Sequence, residues 1–358
     1  MAFSERVLEF EAVRELLAER CISEMGRRRV AAMGPVSDRA QLSDAIALVR
    51  EMMELFATRR EPPIQGMRDC AQHLARVRRE RAILEPAELL ELKDFCETAG
   101  QTRRHFEPLQ AETPGLHALA MPLHGVPALV SSIDEKIAPD ATVRDTASEL
   151  LAHLRSEIFI TEKAIQETLS HMVRTLTDSG DLQDNFWTLR NERYVLPVKS
   201  SNRGKVPGII HDSSNIGETV FIEPFAILEQ TNKLADLRLR EREEVYRILL
   251  RIAGHIRDKI NALLTNLEIL TEFDFLWCRA RFGIDFRGTF PTLTGMERPL
   301  NLVDAHHPLL FAASRENSRP LNLLLDPSDR VLVITGPNAG GKTTALKTVG
   351  LTVLLVQS

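Results

Sequence analysis

The chain has 358 residues, 44% of them hydrophobic, 27% charged and only 5% aromatic. That is enough for two or three domains with real cores, and the bias is toward helix over sheet. No apolar stretch approaches the roughly 18 residues of a membrane span, and Glu5, Arg6, Glu9 and Glu11 break any signal-peptide pattern. The expectation is a soluble, cytoplasmic protein. A net charge of −5 neither excludes nor favours nucleic acid, because binding depends on where the basic side chains lie. Cys21, Cys70, Cys96 and Cys278 are far apart in sequence, with no C-x-x-C spacing for zinc and no disulfide framework, so buried or semi-buried free thiols are expected.

Residues 1–126 read as a helical core domain. Phe3, Val7, Phe10 and Val13 to Leu17 give one amphipathic helix, Gln41 to Thr58 a second, and Glu85-Pro86-Ala87-Glu88-Leu89 opens a third with proline at its start. Pro108, Pro114, Pro122 and Pro127, with Gly115 and Gly125, suggest a loop-rich connector. Arg27-Arg28-Arg29 and Arg76 to Arg81 have acids close by, at Glu24, Glu80 and Glu85, and read as solvated helix faces.

Residues 127–183 form a first lever region, where Val143, Leu154, Ile158, Ile165, Leu169 and Leu176 recur at three- and four-residue steps. Residues 225–290 form a second, with the same rhythm from Ile227 through Leu234, Val245, Ile252 and Leu263 to Leu270 and no proline from Phe225 to Phe290. The pair is expected to lie antiparallel, as long helices, with a weak seam where Thr231, Arg238 and Glu241 stand in place of apolar residues.

Between the levers, residues 184–224 read as a small β insertion. Tyr194 to Val198, Val206 to Ile210 and Thr219 to Ile222 are short apolar runs separated by turn-like segments. Here Arg190, Arg193, Lys199, Arg203 and Lys205 are opposed by Glu192 alone. They are candidate contacts to nucleic-acid phosphates, the alternative being that they pack against acidic helix faces. His211, Asp212 and Ser213 resemble triad chemistry by type only, since adjacent residues rarely converge on one reacting atom; turn chemistry explains them better.

Residues 291–358 contain Gly336-Pro337-Asn338-Ala339-Gly340-Gly341-Lys342-Thr343, a complete phosphate-binding loop. Val331 to Thr335 reads as the buried strand before it and Thr344 to Val356 as the helix after it. The glycines let backbone N–H groups curl around a β-phosphate, Lys342 reaches the β- and γ-oxygens, and the Thr343 hydroxyl completes a Mg²⁺ shell. Only fifteen residues follow Thr343, so the later strand whose carboxylates hold Mg²⁺ and polarise water has no candidate. Leu323 to Asp326 and Ile133-Asp134-Glu135 precede the loop, the wrong order, and Asp326-Pro327-Ser328-Asp329 suits a turn. The nucleotide domain is expected to be incomplete.

Several of these segments resemble one family. Ile334 to Thr343 is similar to the nucleotide loop of the MutS family of DNA-repair ATPases, and His307-Pro308-Leu309-Leu310 to the His-Pro element that opens their nucleotide domain. Asp145 to Leu150, Arg193 to Lys199, Gly208 to Asp212 and Phe221-Ile222-Glu223-Pro224 resemble core and lever segments of the MutS-two branch. The resemblance covers roughly Met1 to Ser358. It implies a mainly α protein with a small β insertion, long antiparallel lever helices and the start of an ABC-type α/β P-loop ATPase domain. Its cofactors would be ATP and Mg²⁺, held by Gly336, Pro337, Asn338, Ala339, Gly340, Gly341, Lys342, Thr343 and Thr344, with Thr343 on the metal. The implied function is a homodimeric, nucleotide-gated clamp on branched or structured DNA in recombination control or repair, with no membrane role. An alternative is a ribosome-associated ATPase that splits stalled ribosomes through contacts to ribosomal RNA. A third is a non-catalytic coiled-coil scaffold. The family's acidic strand end, signature loop and C-terminal endonuclease domain have no counterpart here, so no complete catalytic set is expected.

Overall fold

A computed structural model describes residues 3–214, 217–295, 299–316, 318–329, 331–337 and 341–358. The chain is mainly helical and folds into two compact units. One comprises Met1–Arg79, Glu91–Val130 and Ile256–Ser358, the other Glu80–Leu90 and Ser131–His255.

The first unit begins with α1 (Phe3–Val7) and α2 (Phe10–Ala18), followed by α3 (Glu24–Ala31), α4 (Arg39–Ala57) and α5 (Ala71–Val77). The single N-terminal helix expected from sequence is therefore two. Glu9 sits in the left-handed region at φ 60° and ends the helical path between Val7 and Phe10. The proline-rich connector also differs from expectation. Pro114 and Pro127 are the first residues of α7 (Pro114–Ala120) and α8 (Pro127–Lys136), as Pro86, expected at a helix start, is of α6 (Pro86–Phe106). Each occupies the first helical position, where the missing N–H costs nothing and the fixed φ suits the helix. Ile133-Asp134-Glu135 lies within α8 and is no strand end.

The core of this unit joins its distant ends. Phe10, Val13, Leu17, Cys21 and Val30 pack with Phe275 and Cys278 of α11 (Ile260–Asp285) and with Leu351 of α13 (Lys342–Gln357). Asp274 of α11, fully buried, accepts hydrogen bonds from Ile22 N and Ser23 N at 2.8 Å each and from Ser23 Oγ at 2.6 Å. Ser23 is the N-cap of α3, so one carboxylate on α11 fixes where α3 starts. All four cysteines are buried and free. Burial pushes the Cys70 thiol well above its usual range and that of Cys96 up to about 12, which keeps both as inert thiols near neutral pH.

The second unit is built on α9 (Glu149–Asp178) and α10 (Phe225–Asp258), about 45 and 51 Å long at 1.5 Å per residue. They run antiparallel: Ser148 meets Glu244, Arg155 meets Glu241, and Glu162 meets Arg238, the numbers rising on one helix as they fall on the other. Two of the three polar positions read as a weak seam, Arg238 and Glu241, are thus cross-helix contacts, whereas Thr231 hydrogen-bonds to Glu223 of the sheet. Arg238 Nη2 lies 2.6 Å from Glu162 Oε1 and Arg155 Nε 2.7 Å from Glu241 Oε1, each such part-exposed pair adding only a fraction of a kcal/mol while fixing register. A continuous helix over 225–290 does not form. It breaks at Lys259, whose backbone leaves the helical well (φ −108°, ψ 10°), and α11 begins at Ile260.

Between α9 and α10 stands the expected antiparallel sheet, with β1 (Thr188–Arg190), β2 (Arg193–Lys199), β3 (Gly208–Ser213) and β4 (Thr219–Pro224) in the order β1-β2-β4-β3. Its buried face, Leu196, Val198, Val220 and Ile222, packs on Ile165 and Leu169 of α9 and on Ile227 and Leu234 of α10. A 3-10 turn, Ser200–Lys205, joins β2 to β3.

Residues 291–358 contain the antiparallel hairpin β5 (Leu300–Ala305) and β6 (Leu321–Leu325), the short α12 (Pro308–Ala313) and α13. The turn expected at 326–329 is present, Asp326 N donating to Asp329 Oδ2 at 3.0 Å and Asp329 N to Asp326 O at 2.8 Å. Residues 331–335, expected as a buried strand, form no strand, and Val331 and Val333 are 78% and 74% exposed. A strand requires a neighbour to take up its N–H and C=O groups, and no described segment pairs with this one. The described residues therefore build no parallel α/β sheet.

Candidate functional site

The sequence that resembles a phosphate-binding loop runs into the first turn of α13. Gly341 is the N-cap, in the left-handed region at φ 76°, a conformation that glycine adopts without the steric cost other residues meet. Gly336 also has positive φ, at 150°. Asn338, Ala339 and Gly340 lie outside the described residues. Lys342 folds back on its own loop, its Nζ donating to Gly336 O and, at 3.0 Å, to Pro337 O. Thr343 is exposed on the first turn, and Ala345 N donates to Gly341 O at 2.9 Å, so the helix is regular from its first residue. Its leading N–H groups have no intrahelical partner and its dipole is positive there.

The fit to a nucleotide triphosphate and Mg²⁺ is mixed. The positive N-terminal end of α13, the ammonium of Lys342 and the exposed Thr343 hydroxyl, which has no hydrogen-bond partner among the described residues, suit phosphates and one metal bond. No group of His, Cys, Asp or Glu side chains among the described residues could hold a metal on its own. Farther along, α13 is anchored by Lys347 Nζ, 2.9 Å from Glu9 Oε2, and by the close fit of Gly350 on Leu8, where a Cβ would stand 2.6 Å from Leu8 Cδ2. His307, which with Pro308 opens α12, is buried beside that ion pair with no partner for its Nδ1 among the described residues, and burial lowers its pKa, Glu9 opposing and Lys347 adding to the shift.

The five basic residues of the β insertion all lie in the second unit, and four are already engaged. Arg190 stacks over the Phe221 ring, 4.5 Å from its centroid, with Asp212 Oδ2 4.0 Å away. Arg193 donates to Asn232 Oδ1 at 2.8 Å and reaches the fully buried carboxylate of Glu223 at 3.4 Å. Lys199 Nζ donates to Gly180 O at 2.9 Å, and Lys205 Nζ to Asp181 Oδ1 at 2.6 Å. Arg203, at the exposed crest of the 3-10 turn, makes no side-chain hydrogen bond or ion pair among the described residues. Of the five, Arg203 is thus the one whose charge meets no partner among the described residues, with the engaged Lys199 and Lys205 flanking it along the turn.

His211-Asp212-Ser213 is not a triad. A β-bulge falls between Ile210 and Asp212, so His211 is the extra residue and turns toward Glu223, its Nε2 2.6 Å from Oε2, while Asp212 faces Arg190. Thr231 donates to the other oxygen of Glu223, which makes this buried carboxylate the polar tie between β2, β3, β4 and α10.

Sequence reasoning missed Asp181. Only 4% exposed, it follows the left-handed Gly180 (φ 71°) at the end of α9 and accepts from Lys205 Nζ, from Asn202 Nδ2 at 2.9 Å and from Ser179 Oγ at 2.6 Å. The hydrogen bond from Lys205, then that from Ser179, holds its carboxyl below the usual aspartate range. A carboxyl whose pKa is lower folded than unfolded contributes stability above its unfolded value, about 4, and loses it as pH falls through the folded value. Hydrogen exchange of the 199–206 amides, corrected for intrinsic rate, is therefore expected to quicken as pH drops below about 4. In Asp181→Asn that pH step should be absent; a step of equal size would assign it to another group.

No family model matches the chain. Among proteins of known name, "Endonuclease MutS2" of Alkaliphilus metalliredigens is 34% identical over 355 residues, 99% of this chain and 44% of that protein. "Endonuclease MutS2" of Symbiobacterium thermophilum is 36% identical over 353 residues, again 99% and 44%. "Endonuclease MutS2" of Geobacillus thermodenitrificans is 35% identical over 356 residues, 99% and 45%. The chain spans under half the length of these relatives. No helix among the described residues is long and apolar enough to cross a membrane. Near-complete coverage of the chain at this identity, together with the loop at the head of α13 and the paired helices carrying a small sheet, places it by descent: the chain belongs to the MutS2 family.

Proposed function

We propose that this chain is the helical and phosphate-binding part of a nucleotide-gated clamp on branched or structured DNA. The observation that carries the proposal is the loop sequence 336–343 with Lys342 and Thr343 on the first turn of α13. The exposed Arg203 turn at the end of a long antiparallel helix pair supplies the nucleic-acid side. The names of the relatives, which include an endonuclease activity, support action on nucleic acid.

Bound ATP with Mg²⁺ would supply the phosphate charge that the loop neutralises. The main-chain N–H groups of Gly341 to Thr344 would face the phosphates, Lys342 would leave its own carbonyls for phosphate oxygens, and the Thr343 hydroxyl would ligate the metal. Nucleotide can move the clamp only if it binds one arrangement of the molecule more tightly than another. Contacts to phosphate alone carry no base information, so ribosomal RNA fits the same turn, and a ribosome-associated ATPase is the second reading.

Binding to a labelled four-way DNA junction and to purified ribosomal subunits separates the two. The DNA reading expects the junction to bind more tightly, with Arg203→Ala lowering the slope of log affinity against log salt by about one. Preference for ribosomal subunits would favour the second reading, and binding to neither would overturn both.

A further inference from the structure

We propose that Asp181 is an internal counter-anion that withholds Lys205 from nucleic acid, leaving Arg203 as the turn's one outward phosphate contact. The proposal rests on the reading of the 3-10 turn as a phosphodiester contact. Three donors from separate positions, Lys205 Nζ, Asn202 Nδ2 and Ser179 Oγ, converge on the two oxygens of this one carboxylate. That is the donor set of a phosphate subsite, a cation with two neutral donors, filled by the protein's own anion. The anion is fixed in place. Asp181 N donates to Leu176 O at 3.0 Å, and Lys199 N donates to Asp181 O at 3.1 Å. Its side chain is 5% exposed, whereas that of Lys205 is 59% exposed, so the lysine and not the aspartate faces solvent and can swing away.

The geometry divides the labour within the turn. Asp181 offsets the charge of Lys205 and holds Asn202, so the backbone from Ser200 to Lys205 is shaped before any ligand arrives. Arg203, between two held residues and beside Gly204, which has open space around it, is exposed and gives up no partner among the described residues to meet a phosphate. The turn then engages one phosphate per encounter and keeps Lys205 in reserve. This restrains affinity for any polyanion, as a clamp that must release requires.

The test is salt dependence of binding by the full chain, with a fluorescent four-way DNA junction and an RNA hairpin as separate probes. Asp181→Asn preserves shape and removes the charge. It should steepen the log–log slope by about one, so that raising salt fourfold costs about 3.5-fold more affinity than in the wild type. Asp181→Glu, which keeps the charge, should restore the wild-type slope, and Lys205→Gln on the Asp181→Asn background should bring it back as well. A purely structural Asp181 would lower the melting temperature and leave the slope alone, which overturns the proposal. If Arg203→Ala also leaves the slope unchanged, the turn is not a phosphate contact and the underlying reading has failed; if Arg203→Ala lowers it while Asp181→Asn does nothing, only the counter-anion has failed. Should Asp181→Asn not fold, chemical footprinting of the wild type decides. Arg203 should become protected from arginine reagents on adding the junction while Lys205 keeps its reactivity toward acylation, and protection of Lys205 would overturn the proposal.

Discussion

Lys342→Ala should weaken ATP binding about 10- to 100-fold while leaving the melting temperature of the chain within about a degree. The size follows from the charge-assisted hydrogen bonds that the ammonium would give to phosphate oxygens, worth about 1.5–3 kcal/mol. The unchanged stability follows from what Lys342 now does. It donates only to two carbonyls of its own exposed loop, Gly336 O and Pro337 O, and supports no core contact. Those self-contacts also predict that wild-type affinity is modest, because the nucleotide must first draw the lysine away. Isothermal calorimetry with ATP measures both. Turnover by this chain should be close to zero, since positioned electrostatics supply nearly all the catalysis in phosphoryl transfer and no described carboxylate cluster stands at the loop. Robust hydrolysis that Lys342→Ala abolishes would show that the groups present suffice.

Asp274→Ala should be the most damaging single change in the helical core, costing about 3 kcal/mol or more. Removing the carboxylate leaves the N–H groups of Ile22 and Ser23 and the Ser23 hydroxyl without their acceptor in a fully buried site, and each unmet polar group costs about 1–3 kcal/mol. Calorimetric melting should fall by about 6–12 °C. Asp274→Asn keeps one acceptor oxygen and should cost less. Gly26→Ala should approach the alanine variant from the opposite side, since its Cβ would stand 2.2 Å from Asp274 Oδ2. If Asp274→Ala melts like the wild type, solvent reaches the site and α3 is not held by α11.

The order of helices and the small antiparallel sheet were legible because both rest on local periodicity. The three-and-four spacing around Ile165 and Leu169 faces the same spacing around Ile227 and Leu234, and the sheet lies where short apolar runs alternate with turn residues. Proline misled where it starts a helix, because Pro114 and Pro127 look alike in a loop and at a first helical position. The breaks at Glu9 and Lys259 carry no glycine or proline and so left no mark in the sequence.

The loop at 336–343 was legible as a sequence motif only; the structure shows Gly341 and Lys342 opening α13, while Asn338 to Gly340 lie outside the described residues. Its strand was not, because a strand depends on neighbours, and Val331 and Val333 stand exposed without one. The basic turn was legible only in part. Composition shows five cations against Glu192, but the anions that engage them, Asp181, Asp212 and Glu223, are local only after folding. Asp181 in particular looks like a helix-end residue, and its three converging donors come from turns on either side of β2.

The gated clamp is tested most directly by distance across the full-length protein with and without nucleotide. The four cysteines of this chain are buried and Phe159 on α9 is 68% exposed, so Phe159→Cys, with any exposed cysteine elsewhere in the full-length protein replaced, accepts a spin label selectively and would report α9 of each protomer of the proposed dimer. Pulsed dipolar spectroscopy with ATP, with ADP and without nucleotide should give a label-to-label distance that changes on adding ATP, a change that Lys342→Ala suppresses. A single distance under all three conditions, with ATP binding confirmed by calorimetry, would contradict gating and make the helix pair a static scaffold.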